Sequence, residues 1–320
     1  MKSQHPVLSV LICTRERPDD LERCLTALAR QTVQPLDIVV VDNAPRTDAT
    51  RRVAEAAGVR YVVEPRPGLN CARNAGLRAA RAELIAYTDD DAVPAPDWAA
   101  VLLEVLSEPD VAGMAGAMNP LELDTEAQQL FERYLGGEAG RRARGQRKIY
   151  EPPFAPAGAG HVGAGANMAF KLAPLQAVGP FDEAFDAGTL TRSGGDTEMF
   201  GRLLAAGYRL VYEPRAAVLH RHRRTREELR SQLFGYGVGV YAYWTHRVLH
   251  HRDADAARFA VGMLGKYIWR RLRRAILRRP DELPVDLVLA EIAGCFYGPI
   301  AYLRARRRAG APPARVSAAR

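Results

Sequence analysis

The stretch "AELIAYTDDDAVPAPDW", residues 82–98, runs from a short apolar segment into three adjacent aspartates, Asp89, Asp90 and Asp91. Neighbouring carboxylates repel one another, so a fold that keeps three of them together must offset their charge. The apolar part, 82–88, reads as a buried strand, and "PDWAAVLLEVLSE" (96–108) reads as the helix after it. The same strand-then-helix unit recurs upstream. "VLSVLIC" (7–13) is a strand, and 18–31 is a helix that opens at Pro18, with Leu21, Cys24, Leu25 and Leu28 on one face. A strand at 36–42, a helix at 47–58 closed by Gly58, a strand at 59–64 and a helix at 70–80 follow, and a strand at 111–118 lies beyond the aspartates. Repeated units with nearly continuous apolar strands define an α/β fold: a mostly parallel sheet flanked by helices.

Ligands bind such sheets beyond the carboxyl ends of the strands. Thr14 and Arg15 follow the first strand, Asp42 ends the second, and Asp89–Asp91 end a later one. Three strand ends thus bring polar groups to one edge. A hard divalent cation, Mn²⁺ or Mg²⁺, accepts one or two carboxylates and keeps other positions for water and phosphate oxygens. A solvated, Asp-rich turn capping the next helix has the same spacing, and the triplet by itself leaves both readings open.

The chain has 320 residues, 48% of them apolar, which is enough for a large core and excludes a disordered chain. Its formal net charge is +8, yet residues 221–320 alone carry 21 Lys/Arg against 8 Asp/Glu. The basic charge therefore belongs to the C-terminal third and suits an anionic partner. No zinc spacing or RNA-binding signature accompanies it, so a lipid surface is the expected partner and nucleic acid is not. Cys13, Cys24, Cys71 and Cys295 show no paired or metal-like spacing and read as reduced, mostly buried thiols of a cytoplasmic protein. The opening "MKSQHPVLSVLICTRERP" does not read as a cleaved leader. No run reaches the apolar length of a membrane span; the nearest are 231–245 and 292–303.

Residues 119–166 are less regular, with a helix at 126–135, a basic loop at 141–148 and the Gly/Ala/Pro-rich "PPFAPAGAGHVGAGA" at 152–166. From Thr225 three helices are expected, at about 226–249, 254–278 and 285–307, interleaving aromatic and basic residues. Such helices can lie in a membrane interface; Gly235, Gly237, Gly239, Tyr236, Tyr243 and Trp244 equally suit tight packing against the rest of the chain.

Six segments in order carry a resemblance: residues 9–25, "VVVDNAP" (39–45), "GLNCARNAGL" (68–77), "YTDDDAVP" (87–94), "GAGANMAFK" (163–171) and "GGDTEMFGRLLAAGYRLVYEPRAAVLHRHR" (194–223). Over residues 7–224 the sequence resembles the family 2 glycosyltransferases, which have the nucleotide-diphospho-sugar-binding GT-A fold. The resemblance implies a catalytic domain at 1–224, with a nucleotide half at about 1–118 and an acceptor half at about 119–224, and leaves 225–320 as a basic helical extension. It implies an inverting, metal-dependent transfer from a nucleotide-diphosphate sugar, UDP-sugar favoured, to a glycan or lipid-linked acceptor; the basic extension itself would place the protein on the inner face of the cell membrane. Thr14, Arg15, Arg17, Asp42 and Asn43 would then bind the donor nucleotide. Arg73 would approach its diphosphate, with Asp89 and Asp90 at the ribose. Asp89 and Asp91 match the DxD signature that holds the cation, and His220 matches a further ligand position; the neighbouring His222 competes with it for that role.

Attack by a hydroxyl requires a positioned base. Asp196 in "SGGDTEMF" is the candidate, at a helix start expected to keep it ionised; an N-cap is the other reading. Glu198, two residues on, should point elsewhere. Gly195 stands where the family usually has an acid. That departure favours a non-catalytic donor-binding protein on the same scaffold. A sugar nucleotidyltransferase would need a Gly-rich loop after the first strand, and "CTRERPDD" has no glycine.

Overall fold

The computed structural model describes residues 6–135, 145–279 and 282–310; part of the expected basic loop at 141–148 lies outside them. Nine strands form one sheet: β1 (Ser9–Thr14), β2 (Asp37–Asn43), β3 (Arg60–Glu64), β4 (Leu84–Asp89), β5 (Ala92–Pro94), β6 (Val111–Pro120), β7 (Lys148–Tyr150), β8 (Asn167–Lys171) and β9 (Arg209–His220). Their order is β3-β2-β1-β4-β8-β6-β9-β5, with β7 on β9. The expected parallel pairing holds from β3 to β4. Beyond β4, strand β8 runs antiparallel to both its neighbours, while β6 and β9 are parallel to each other.

The helices that position the site are α1 (Pro18–Ala29), α2 (Ala49–Ala56), α3 (Leu69–Ala79), α4 (Trp98–Leu106), α5 (Glu126–Tyr134), α6 (Leu172–Val178) and α7 (Gly195–Ala205). Alternation along β1 explains the layering. Val10 and Ile12 pack with Leu21, Leu25, Leu28 and Trp98 on one face, and Leu11 and Cys13 pack with Ala72 and Ala75 of α3 on the other. Helix α1 starts at Pro18 and buries the four residues its spacing picks out. Trp98 is fully buried and donates to Asn167 Oδ1 at 2.8 Å, so it serves the core. All four cysteines are free and buried.

After the sheet come α8 (Arg226–His251), α9 (Ala254–Gly262), a π-helical turn at Met263–Ile268, α10 (Trp269–Ile276) and α11 (Val285–Ala309). Thr225 and Glu228 form a capping box at the start of α8. Backbone meets backbone between α8 and α11: a Cβ on Gly237 would collide with the Glu291 carbonyl, and one on Gly298 would lie 2.6 Å from Tyr241 Cβ. Tyr243 and Trp244 donate to the carbonyls of Pro156 and Ala157 at 2.7 and 3.0 Å, tying α8 to the sheet domain. Helix α11 runs through the apolar 292–303 segment and is longer than that run. It is the one described helix long and apolar enough to cross a membrane, with half of its apolar window buried inside the protein.

His246 of α8 is 3% exposed. Its Nδ1 lies 2.9 Å from the Tyr302 hydroxyl, its Nε2 lies 3.8 Å from Glu198, and Phe185 meets its ring edge-on. Burial, reinforced by His251, His250, Arg247 and Arg202, drives its pKa from 6.5 down to about 2. The folded protein therefore holds this ring neutral, whereas the unfolded chain protonates it near its ordinary value. Stability from the site is complete above that value and falls as the pH drops below it, by about 1.4 kcal/mol per unit. Between pH 7 and pH 5 urea unfolding should show a loss of about 2 kcal/mol that His246→Phe no longer shows. Equal losses in both proteins would contradict this.

Candidate metal and donor site

Register puts the predicted rim residues side by side. Thr14 lies opposite Asp42, and Cys13 lies opposite Asp89. Across the sheet, β5 pairs with the end of β9 so that Ala92 faces His220, one residue from Asp91. The carboxylates are held by partners of their own. Thr14 donates to Asp90 at 2.7 Å, and Arg17 donates to Asp90 at 3.1 Å and to Asp91 at 3.0 Å. His220 Nε2 lies 3.1 Å from Asp91 Oδ1.

Burial raises Asp89, with repulsion from Asp91 adding to it. Burial also pushes Asp90 up to about 7, against the pull of Arg17. At Asp91 burial acts in the same direction, but His220 and Arg17 outweigh it and hold the carboxyl well below its usual range. One ligand atom from each of Asp89, Asp91 and His220 lies within 4.8 Å of the others. His220 Nδ1 is buried without a hydrogen-bond partner, and Asp91 Oδ1 has the His220 ring beside it. Two carboxylates and an imidazole with unused acceptor atoms fit a divalent cation such as Mn²⁺. His222 turns away: it is buried, 3.1 Å from Glu132 and edge-on to Phe131.

The residues expected to bind the nucleotide divide. Asp42 is buried; Tyr61 donates to its Oδ2 at 2.8 Å, while its Oδ1 has no partner. Arg15 is exposed beside Thr14 on the rim. Asn43 is spent on the backbone, donating to Arg66 O at 2.8 Å and accepting from Gly68 N at 2.9 Å, so it shapes the loop before α3.

Asp196 is the second residue of α7, and Gly194, in the left-handed region, is the N-cap. The carboxylate therefore does not cap the helix; it accepts from Gly165 N and Thr197 N, each at 2.6 Å. The helix start does not dominate its ionisation as expected. Burial, joined by Asp186, raises its pKa against Arg73 and those two N–H groups, which makes it a stronger base than a solvated aspartate. A Cβ at Gly165 would lie 3.2 Å from Asp196 Cβ and would strike Arg73, so the glycine in this loop permits the approach. Glu198 does point elsewhere, 2.7 Å from Arg202.

Arg73 reaches the same place from α3. It is 3% exposed, 2.6 Å from Asp186 and 3.0 Å from Asn70 Oδ1. Asn70 donates its amide to Asp182 O at 2.9 Å and does not cap α3. Asp186 and Asn167 were not picked out from the sequence. Asn167 donates to Ala117 O and Ala216 O, at 2.9 and 2.8 Å, beneath the rim. Asp186 lies in a segment whose local pattern announces no role; Asn167 lies in "GAGANMAFK", which carries the resemblance without singling it out.

The α/β sheet, with a carboxylate–carboxylate–imidazole cluster and a buried carboxylate at its rim, has the architecture of the GT-A fold. The chain belongs to glycosyl transferase family 2, whose model matches residues 9–170. It is 30% identical over 222 residues to a pre-mycofactocin glycosyltransferase of Mycobacterium tuberculosis, covering 68% of this chain and 43% of that protein. It is 34% identical over 151 residues to the validoxylamine A glucosyltransferase of Streptomyces hygroscopicus, covering 44% of this chain and 33% of the relative. The chain thus matches less than half the length of these curated relatives. The fold is similar to that of a mannosyltransferase from Pyrobaculum calidifontis solved with GDP-Man and Mn²⁺, at 18% identity and a TM-score of 0.61, covering 92% of this chain and 88% of that one.

Proposed function

We propose that this chain transfers a sugar, with inversion, from a nucleotide diphosphate to a hydroxyl of a glycan or lipid-linked acceptor. The observation that carries the reading is the gathering of Asp89, Asp91 and His220 within 4.8 Å of one another, on the rim that also holds Thr14 and Asp42. These three residues would hold Mn²⁺ or Mg²⁺, which when bound supplies positive charge to the departing diphosphate. Thr14, Arg15 and Arg17 line the nucleotide, Asp42 offers its free oxygen to the base, and Arg73 faces the diphosphate side. Asp196 takes the acceptor proton on its carboxylate, and the Gly165 and Thr197 N–H groups hold that carboxylate in place. Residues 1–224 form the catalytic unit in this reading.

A UDP-sugar is the proposed donor. A thermal-shift screen of UDP, GDP, ADP and CDP, with and without Mn²⁺, tests both parts, because a ligand that binds the native state raises its melting temperature. The expected result is a shift of several degrees with UDP that requires Mn²⁺. A shift with GDP alone would replace the donor, and no shift with any nucleotide would reject the site.

The extension 225–320 is proposed to rest on an anionic membrane surface at the inner face of the cell membrane. Trp269 and Phe296 are each 65% exposed, and Leu289, Ile300 and Leu303 are exposed along one side of α11. Basic residues interleave with these apolar ones, as interfacial helices require. Sedimentation with vesicles containing phosphatidylglycerol should pull the protein down at low salt and less so at about 0.5 M salt, where screening is strong. Trp269→Ala with Phe296→Ala should remove most of that binding. Equal pelleting with neutral vesicles, or none with either, would count against it.

A further inference from the structure

Gly195 leaves a space beside Asp196, and another carboxylate fills it. A Cβ on Gly195 would fall 2.6 Å from Asp186 Oδ2 and would also meet the Asn70 amide. Asp186 reaches that space at a conformational cost, with φ at +84, a region where a non-glycine residue is uncommon and strained. Thr191 Oγ1 accepts from its backbone N–H at 3.1 Å, and its Oδ1 accepts from Ala187 N at 2.9 Å. The outer oxygen, Oδ2, takes the Arg73 guanidinium at 2.6 Å in a pair that is almost wholly enclosed.

Resting on the transferase reading above, we infer that Asp186 is a positioning residue for transfer: it holds Arg73 in place and away from Asp196. Arg73 has Asp186 as its ion-pair partner, not Asp196, although all three lie around Gly165 and Gly195. A buried guanidinium deprived of its carboxylate is left as an uncompensated charge, which a neighbouring carboxylate relieves. Here that is Asp196, which would then be tied to a cation and unable to accept a proton from the acceptor. Gly195 completes the arrangement, because any side chain there would displace the Asp186 carboxylate. The acid that the family usually carries before its catalytic aspartate is thus matched in this chain by one nine residues upstream.

Steady-state transfer by Asp186→Asn tests this, since asparagine keeps the shape and removes the charge. The expected result is a kcat about 100-fold below wild type, the cost of a misplaced reacting group. Acceptor KM should stay within about threefold, and the Mn²⁺- and UDP-dependent thermal shift, which rests on Asp89, Asp91 and His220, should persist even where displaced Arg73 raises the donor KM. Gly195→Ala reaches the same carboxylate from the other side and should reproduce the loss of kcat, also where Asp186→Asn fails to fold. Either variant turning over within about threefold of wild type overturns the inference. So does a loss of kcat accompanied by loss of the nucleotide shift, which would make Asp186 part of the donor pocket only. Those results leave the transferase reading standing; a wild-type chain that transfers no sugar overturns that reading and the inference with it.

Discussion

Asp91→Ala is expected to abolish the Mn²⁺-dependent nucleotide shift and to lower sugar transfer by roughly a thousandfold, the equivalent of about 4 kcal/mol. Asp91 is the carboxylate on which the rim converges. One oxygen faces His220 at 3.1 Å and the other faces Arg17 at 3.0 Å. With it gone, one carboxylate and the imidazole remain of the three proposed cation ligands, and half of the carboxylate charge that offsets the cation's own is lost. Arg17 keeps Asp90, so the fold around the first strand should survive. Asp90→Ala is the internal control. Both its oxygens are occupied, by Thr14 and Arg17, and it stands outside the group of three. Its loss should raise the donor KM while leaving the Mn²⁺ shift measurable. If the two variants behaved alike, the distinction between Asp90 and its neighbours would be wrong.

Asp196→Asn is expected to lower kcat by about 10² to 10⁴, the range for loss of a positioned general base, without weakening nucleotide binding. Asparagine fits the same space and its oxygen can still accept one of the two N–H groups that now bind Asp196. What it cannot do is take a proton. The side chain is enclosed by Gly165, Thr197 and Arg73, and its raised pKa follows from that enclosure and from Asp186. A variant with wild-type turnover would move the base elsewhere. A wild type and variant that both bind UDP with Mn²⁺ yet transfer nothing would favour the non-catalytic donor-binding reading.

The rim could be read from the sequence because strand ends are local. An apolar run that stops at Thr14, Asp42 or Asp89 says where each side chain emerges, and parallel pairing puts the ends together. His220 required more: order along the chain, through the resemblance, pointed to it, and the β5–β9 pairing delivers it to Asp91. The face of α1 was legible from spacing alone, down to its four buried residues. Asp186 was not, because what gives it meaning is a contact with Arg73, 113 residues away. The raised pKa of Asp196 was not legible for a related reason. A helix start is visible in sequence and favours charge, but the burial and the second carboxylate that outweigh it come from packing. Strand β8 shows the same limit: its apolar pattern is visible, but its antiparallel place between β4 and β6 is fixed by tertiary pairing.

The claim on which the account depends is that Asp89, Asp91 and His220 share one cation with the donor's diphosphate. A crystal soaked with MnCl₂ and UDP, measured for anomalous scattering from manganese, tests it most directly. The expected result is a single strong peak between those three side chains, with both phosphates of UDP against it and the uracil beside Asp42. Manganese bound elsewhere, or UDP bound with the aspartates facing solvent and no metal between them, would contradict it.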